Sequence, residues 1–227
     1  MAELIVALDL DSADEALRVV DQLPDVEWVK LGPVLFVREG PALVRLLKQR
    51  GLRVFLDLKW HDIPHTVASA VRAAGDQGID LATVHALGGA AMLGAASAAC
   101  GNGMRLVAVT VLTSHSSDEY WSTVGGAAAG DVEAEAVRLA RLALTNGIHG
   151  VVTSPLEVAA IQRAVGVGPW IVVPGIRPAG SAADDQLRTA DPASAVAAGA
   201  THLVVGRPIT RAENPATVYE TIKRELR

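Results

Sequence analysis

The sequence has little cysteine and no long apolar run, and both shortages narrow the possible classes of protein. Its 227 residues include a single cysteine, Cys100, which has no partner for an internal disulfide. A reducing compartment, the cytoplasm, is therefore expected. The apolar runs fall well short of the about 20 residues that a membrane-spanning helix needs. The first residues lack the basic region and cleavage site of a signal peptide, so we expect no membrane partner.

The charge balance argues against a nucleic-acid partner. The formal net charge is −5, whereas nucleic-acid-binding domains carry a basic patch or stripe. Hydrophobic residues make up 50% of the chain, more than a disordered protein contains, so the chain is expected to fold around a core. The length alone is compatible with one large domain or two small ones.

Lysine is also scarce. Only four of the 20 basic residues are lysines, namely Lys30, Lys48, Lys59 and Lys223. Arginine supplies the other positive charges. Because lysine changes its protonation state readily and arginine does not, a lysine retained in such a chain is a candidate for proton-transfer chemistry.

Eight short apolar, β-branched runs alternate with eight segments of helical pattern. Runs that are apolar on both faces are typical of strands in a buried parallel sheet. The predicted strands are residues 4–10, 28–32, 53–59, 81–87, 105–112, 150–154, 170–176 and 202–208. The predicted helices are residues 13–23, 41–50, 65–77, 90–99, 131–146, 156–165, 192–198 and 215–226.

This alternation predicts an α/β fold, a single (β/α)8 TIM barrel over residues 1–227 that forms one catalytic domain. The alternative is a doubly wound open sheet. Such a sheet would carry a Gly-x-Gly-x-x-Gly turn after its first strand, where this chain has Asp9-Leu10-Asp11-Ser12. The two long loops, residues 116–130 and 177–189, would then lie on the face of the barrel that carries active sites.

The predicted third strand ends in a cluster of charged residues. Asp57 and Lys59 are two positions apart, so they share one face of the strand. In a barrel that face is the interior at the mouth, where partly desolvated charges must pair. Asp62 follows in the adjoining loop. A purely structural ion pair is one interpretation of this cluster.

Other predicted strand ends contribute polar groups to the same mouth. Asp9 ends the first strand, Lys30 ends the second, and Thr113 follows the fifth. Charged residues at this place bring no packing benefit, and barrel enzymes build their active sites there. A catalytic cluster is therefore the favoured interpretation. His115, His149 and His202 are predicted to be loop or surface residues.

The predicted seventh and eighth strands both end in glycine and arginine. The segments are Val173-Pro174-Gly175-Ile176-Arg177 and Val205-Gly206-Arg207-Pro208. In barrels the loops after these strands often bind a phosphate group, because glycine allows close backbone approach and arginine donates two hydrogen bonds. Two glycine turns with solvated arginines are the alternative. Loop 177–189 has the composition of a lid, and its Gln186 could donate to a phosphate oxygen.

Together these motifs resemble the orotidine 5′-monophosphate decarboxylase family. The resemblance rests on Asp57-x-Lys59-x-x-Asp62-Ile63-Pro64, on the turn Pro174-Gly175-Ile176-Arg177-Pro178 and on Gly206-Arg207. Lys30 and the segment Val111-Leu112-Thr113-Ser114 add to it. The similarity runs from Val6 to about Ile209, nearly the whole chain.

The resemblance implies the conversion of orotidine 5′-monophosphate to uridine 5′-monophosphate (UMP) and CO2, the last step of de novo pyrimidine synthesis. No cofactor and no metal are expected. The family's catalytic residues correspond to Lys59, Asp57, Asp62 and Lys30. Its substrate-binding residues correspond to Asp9, Lys30, Asp57, Thr66, Thr113, Pro174, Arg177, Gln186, Gly206 and Arg207.

The resemblance also implies a role for most of these side chains. Lys59 would protonate C6 of the pyrimidine, and Asp57 would lie beside the substrate carboxylate. Lys30 and Asp9 would bind the ribose, and Thr113 would contact the pyrimidine. The phosphate would be bound by Arg177, Gln186, Gly206 and Arg207.

Two further residues imply a quaternary structure. Asp62 and Thr66 would reach into the active site of a second subunit, so the resemblance implies a homodimer with shared active sites. One departure is visible in this segment, since His65 stands where the family pattern has asparagine. It puts only a peripheral interface contact in doubt.

Two other functions remain open at this stage. One is a metal-dependent sugar-phosphate decarboxylase with the same third-strand motif; there an acidic residue at the second strand end holds Mg²⁺, whereas this chain has Lys30, which would repel a metal ion. The other is a phosphate-sensing binding module built on a retained barrel. Asp57, Lys59 and Asp62 are all present, which favours an enzyme.

Overall fold

The computed structural model describes residues 2–125, 130–178 and 188–226. Within these ranges eight parallel strands close into a barrel, in which each strand pairs with the next and β8 pairs with β1. The predicted (β/α)8 barrel is confirmed. The strands are β1 Glu3–Ala7, β2 Trp28–Leu31, β3 Arg53–Trp60, β4 Leu81–His85, β5 Arg105–Val109, β6 Gly150–Val152, β7 Trp170–Val173 and β8 His202–Val205.

Helices follow the strands and cover the outside of the barrel. In the described part of the chain none of them is long and apolar enough to cross a membrane. Two short 3₁₀ turns, Ala86–Gly88 and Pro155–Glu157, precede α4 and α7. The helices are α1 Ala13–Gln22, α2 Pro33–Gln49, α3 Pro64–Asp76, α4 Gly89–Ala99, α5 Ser117–Val124, α6 Val132–Thr145, α7 Val158–Val165, α8 Pro192–Ala198, α9 Arg207–Thr210 and α10 Pro215–Glu225.

Side-chain caps set where several helices begin. The Ser12 hydroxyl accepts a hydrogen bond from the backbone N–H of Glu15 at the start of α1. Asp191 accepts one from Ser194 at the start of α8, where Pro192 occupies the first helical position. These contacts satisfy N–H groups that have no partner within the helix.

The amino end of the barrel is filled by large side chains. Trp28 is 2% exposed, and its ring lies edge-on to Trp170, with centroids 6.3 Å apart. The His202 ring lies against Trp170 at a centroid distance of 4.2 Å and is also buried, so its prediction as a loop or surface residue is wrong. Because the barrel interior is packed here, the carboxyl end is the end at which a substrate can enter.

The structure corrects two parts of the helix prediction. Helix α2 begins at Pro33, eight residues before the predicted start at residue 41, and Gly40 interrupts it with φ 55° and ψ −148°. The sequence pattern captured only the regular part after this break. The predicted loop 116–130 contains α5, which Ser116 caps by accepting a hydrogen bond from Glu119.

Several strands end earlier than predicted. β5 ends at Val109 rather than at residue 112, and β7 ends at Val173 rather than at residue 176. The apolar pattern continues past both ends because Val111 and Ile176 remain buried beneath the loops. Burial therefore extended the predicted strands beyond the ends that the structure gives them.

Candidate active site

A cavity of about 460 Å³ opens at the carboxyl end of the barrel. One side of it carries charged residues from the first three strands and their loops, and the other side carries basic residues from the loops after β7 and β8. Most of the predicted site residues line it: Asp9, Lys30, Asp57, Lys59, Thr113, Pro174, Arg177, Gly206 and Arg207.

Two lysines and two aspartates form a continuous charge network in this cavity. Lys59 Nζ lies 2.9 Å from Asp57 Oδ1. Lys30 Nζ lies 3.6 Å from Asp57 Oδ2 and 2.8 Å from Asp9 Oδ1. Charges alternate along the chain of contacts, so each side chain has a neighbour of opposite sign.

Asp57 lies at the centre of this network. Its side chain is 13% exposed, and this burial alone would raise the pKa of its carboxyl. The ammonium groups of Lys30 and Lys59 and hydrogen bonds from Lys59 and Thr83 outweigh burial, so the pKa lies below its usual value. Asp57 is therefore an anion at neutral pH, held between two cations.

The backbone of β3 is irregular where Lys59 leaves it. Lys59 has φ 52°, a left-handed conformation that residues with a Cβ rarely adopt. The β3–β4 pairing also shifts register between Leu56 and Trp60. The prediction that Asp57 and Lys59 share a face assumed a regular strand; their side chains do meet, but across this irregularity.

A glycine makes room for the Lys30–Asp9 pair. A Cβ atom on Gly32 would lie 2.6 Å from Asp9 Oδ1 and 3.4 Å from Lys30 Nζ. A real Cβ essentially never approaches an atom that closely, so any larger residue would displace Asp9. Gly32 was not predicted as a site residue, because a lone glycine after a strand gives no signal of its own.

The far side of the cavity is basic. Arg177 and Arg207 line it as predicted, and Arg211 joins them. Arg211 was missed, although it follows Arg207 by four residues, one helical turn, and Arg207 begins α9. That spacing brings two side chains to the same face of a helix, and it was the signal that could have found Arg211.

Two predicted residues, Asp62 and Thr66, do not line this cavity. Asp62 and Thr66 are exposed, and the Asp62 carboxylate accepts a hydrogen bond from the Ile63 N–H at 2.6 Å. Gln186 lies outside the described residues. The chain by itself therefore does not bring Asp62 or Thr66 to Lys59.

A buried ion pair connects the loops around the cavity. Arg188 Nη1 lies 2.5 Å from Glu157 Oε1, and Arg188 Nη2 donates to the Leu112 carbonyl at 2.8 Å. Leu112 precedes Thr113, while Arg188 lies in the chain segment between β7 and α8. The pair was missed because the two residues are 31 positions apart and the capping box that contains Glu157 gives no indication of a contact with Arg188.

Two histidine side chains lie close to the network. His61 and His85 stack with ring centroids 5.4 Å apart. Burial, together with His61, Lys59 and His115, lowers the pKa of His85 to about 4. His85 is therefore neutral at physiological pH.

Among the described residues no three or more His, Cys, Asp or Glu side chains group as a metal site.

Comparison with known proteins gives a consistent family. A family model described as orotidine 5′-phosphate decarboxylase / HUMPS family matches residues 2–222. The orotidine 5′-phosphate decarboxylase of Alkalilimnicola ehrlichii is 52% identical over 99% of this chain and 96% of that protein. The enzyme of the same name from Halorhodospira halophila is 51% identical over 98% of this chain and 95% of that protein.

A solved structure extends the similarity to three dimensions. The crystal structure of orotidine 5′-phosphate decarboxylase from Lactobacillus acidophilus superposes with a TM-score of 0.87 at 37% identity. The match covers 100% of this chain and 99% of that one.

Proposed function

Because the chain belongs to the orotidine 5′-phosphate decarboxylase / HUMPS family, we propose that it converts orotidine 5′-monophosphate to UMP and CO2. The observation that carries this proposal is the cavity itself. An alternating network of two lysines and two aspartates lines one side, and three arginines line the other. The whole chain is one catalytic domain in this proposal.

The substrate has a charged group for each side of the cavity. Its phosphate binds to Arg177 and Arg207, since arginine forms charge-assisted, bidentate contacts with phosphate oxygens. Pro174 and Gly206 line the same end, and Gln186 adds a donor. The carboxylate at C6 then lies at the opposite end, beside Asp57 and Lys59.

The remaining contacts orient the nucleoside. Lys30 and Asp9 bind the ribose hydroxyls, because together they offer a donor and an acceptor 2.8 Å apart. Thr113 contacts the pyrimidine. Gly32 keeps Asp9 in place by leaving room for its carboxylate.

The reaction needs one proton and no electron acceptor. The bond between C6 and the carboxylate breaks, its electron pair stays on C6, and CO2 leaves. The Lys59 ammonium donates a proton to C6, which gives UMP, and the neutral amine then regains a proton from water. Arginine could not perform this step at neutral pH, because its pKa is too high.

The charge network stabilises the developing carbanion. No adjacent electron sink exists at C6, so the site must supply an oriented positive charge. Lys59 provides it at 2.9 Å from Asp57, which holds the ammonium in place. Lys30 lies between Asp9 and Asp57, so a cation of the chain itself occupies the position that a metal ion bound to both carboxylates would need. The proposed mechanism uses no metal and no cofactor.

The active enzyme is a cytoplasmic homodimer with shared sites. Asp62 and Thr66 are exposed on the loop and helix that follow β3, and Ile63 between them is 66% exposed. In the dimer these residues lie against the partner, and Asp62 completes the partner's site.

Purified protein incubated with orotidine 5′-monophosphate tests the proposal. We expect stoichiometric formation of UMP and CO2 without added metal. If the chain were instead a metal-dependent sugar-phosphate decarboxylase with the same third-strand motif, it would not turn over this nucleotide. It would decarboxylate a sugar phosphate, and only with Mg²⁺ present. Binding of the nucleotide without turnover would indicate a phosphate-sensing module.

A further inference from the structure

Thr83 of β4 lies opposite the irregular part of β3. Leu56 pairs with Ala82, and Trp60 pairs with Val84. Three residues of β3 therefore lie opposite one residue of β4, and that one residue is Thr83. The three residues of β3 are Asp57, Leu58 and Lys59, two more than a regular pairing would place there.

The Thr83 hydroxyl bonds to both ends of this segment. Its oxygen accepts a hydrogen bond from the Lys59 backbone N–H at 2.8 Å. It donates its own proton to Asp57 Oδ1 at 3.1 Å. Since Lys59 Nζ also donates to Asp57 Oδ1 at 2.9 Å, the three residues form a closed ring of hydrogen bonds.

The chemistry of a hydroxyl suits this position. A hydroxyl can accept and donate at the same time, whereas a valine of almost the same shape can do neither. Thr83 is fully buried, so water cannot easily replace it. Without the hydroxyl, the Lys59 backbone N–H would lose its acceptor and Asp57 Oδ1 would lose one of its donors. Buried polar groups that lose a partner in this way are costly in a protein interior.

We propose that Thr83 is a positioning residue for the proposed decarboxylation. Its hydroxyl holds the left-handed backbone of Lys59 and the carboxylate of Asp57 in register, so that the Lys59 ammonium points into the cavity. Thr83 does not line the cavity within the described residues and acts only through its two neighbours. The inference rests on the proposed function.

The test compares three variants with the wild type by their kcat, their KM for orotidine 5′-monophosphate and their melting temperatures. Thr83→Val removes the hydroxyl and keeps the shape. Thr83→Ser keeps the hydroxyl. Thr110→Val is the matched control, because Thr110 is an equally buried threonine whose hydroxyl bonds to the Val152 carbonyl and to Thr153.

We expect Thr83→Val to lower kcat about tenfold, as the loss of one hydrogen bond to a charged group would. Its KM should change less than about twofold, because substrate contacts are untouched. Thr83→Ser should restore most of kcat, and Thr110→Val should lose stability without losing kcat. If Thr83→Val does not fold, Thr83→Ala takes its place in the comparison.

The outcomes separate the two claims. A wild type that forms no UMP refutes the proposed function. A wild type that does, together with an unchanged kcat in Thr83→Val, refutes the positioning role. An equal loss of kcat in Thr83→Val and Thr110→Val, or no recovery in Thr83→Ser, also refutes it, since a general packing defect would then explain the loss.

Discussion

Lys30 Nζ lies 2.8 Å from Asp9 Oδ1. The ammonium at the end of β2 is thus bonded to the carboxylate that follows the neighbouring strand, β1. The Lys30 side chain is 10% exposed, and its Nζ also lies 3.6 Å from Asp57 Oδ2. Carboxylates such as those of Asp9 and Asp57 are common ligands of Mg²⁺. Here the position between them is filled by a covalently attached cation.

This relationship predicts that activity is independent of metal ions. Exhaustive chelation should leave kcat and KM for orotidine 5′-monophosphate unchanged, because the Lys30 ammonium already occupies the position between the two carboxylates. The measurement is a chelator titration of purified enzyme followed by addition of Mg²⁺. An activity that disappears with chelator and returns with Mg²⁺ would be incompatible with the proposed role of Lys30.

The exposure of Asp62 leads to a prediction about shared sites. Lys59→Ala and Asp62→Ala should each be inactive alone, since each lacks one residue of every site. After random mixing, half of the dimers carry one intact site, so about one quarter of wild-type activity should return. No recovery, under conditions where subunit exchange is verified, would mean that Asp62 does not complete a partner's site.

Arg207 is predicted to act through the phosphate. A charge-assisted bidentate contact contributes about 2–3 kcal/mol, so Arg207→Ala should lower kcat/KM by about 30- to 150-fold. The loss should be much smaller for the phosphate-free nucleoside, which never makes this contact. The measurement is kcat/KM of the wild type and of Arg207→Ala, each with the nucleotide and with the phosphate-free nucleoside. An equal loss on both substrates would exclude Arg207 as a phosphate ligand.

His202 predicts a specific pH dependence of stability. Burial lowers its pKa to about 4, with Glu3 opposing and Arg53 adding to the shift, whereas an unfolded histidine titrates near 6.5. The folded state thus binds this proton less readily than the unfolded state. The free energy of unfolding therefore contains a contribution from neutral, buried His202 that is complete above about pH 6.5. As the pH falls toward about 4, this contribution is lost and the free energy of unfolding decreases by up to about 3 kcal/mol.

Denaturant unfolding of wild type and His202→Gln between these pH values tests this prediction. Glutamine keeps a polar side chain of similar size but cannot gain the proton. On acidification, the free energy of unfolding of the wild type should therefore decrease more than that of His202→Gln. Parallel pH curves would show that His202 titrates normally in the folded protein.

The barrel and most of the residues that line its cavity could be predicted from the sequence, because both follow from simple periodicities. Once eight strands are parallel, their carboxyl ends must meet, so Asp9, Lys30 and Asp57 were predicted together without knowledge of any contact. Their positions survived errors in the strand ends, since β1 ends at Ala7 and Asp9 still reaches the cavity.

The missed features depend on departures from periodicity. Thr83 matters because three residues of β3 lie opposite one residue of β4, and a pattern of alternating faces assumes equal numbers. Glu157 and Arg188 are 31 positions apart, and nothing local indicates that they meet. His202 was misjudged because its polarity outweighed its place in a strand that is buried along its whole length.

The central claim is that Lys59 donates the proton to C6, and one set of variants tests it most directly. Lys59→Ala removes the ammonium, and Lys59→Arg keeps a positive charge that cannot be given up. Lys48→Ala is the control, because Lys48 is another partly buried lysine paired with a carboxylate, Asp80, at 2.6 Å.

UMP formation from orotidine 5′-monophosphate is measured for all three variants, after circular dichroism has established that each is folded. The account predicts no detectable turnover in Lys59→Ala or Lys59→Arg and a near-wild-type rate in Lys48→Ala. Near-wild-type UMP formation by folded Lys59→Ala or Lys59→Arg would contradict it.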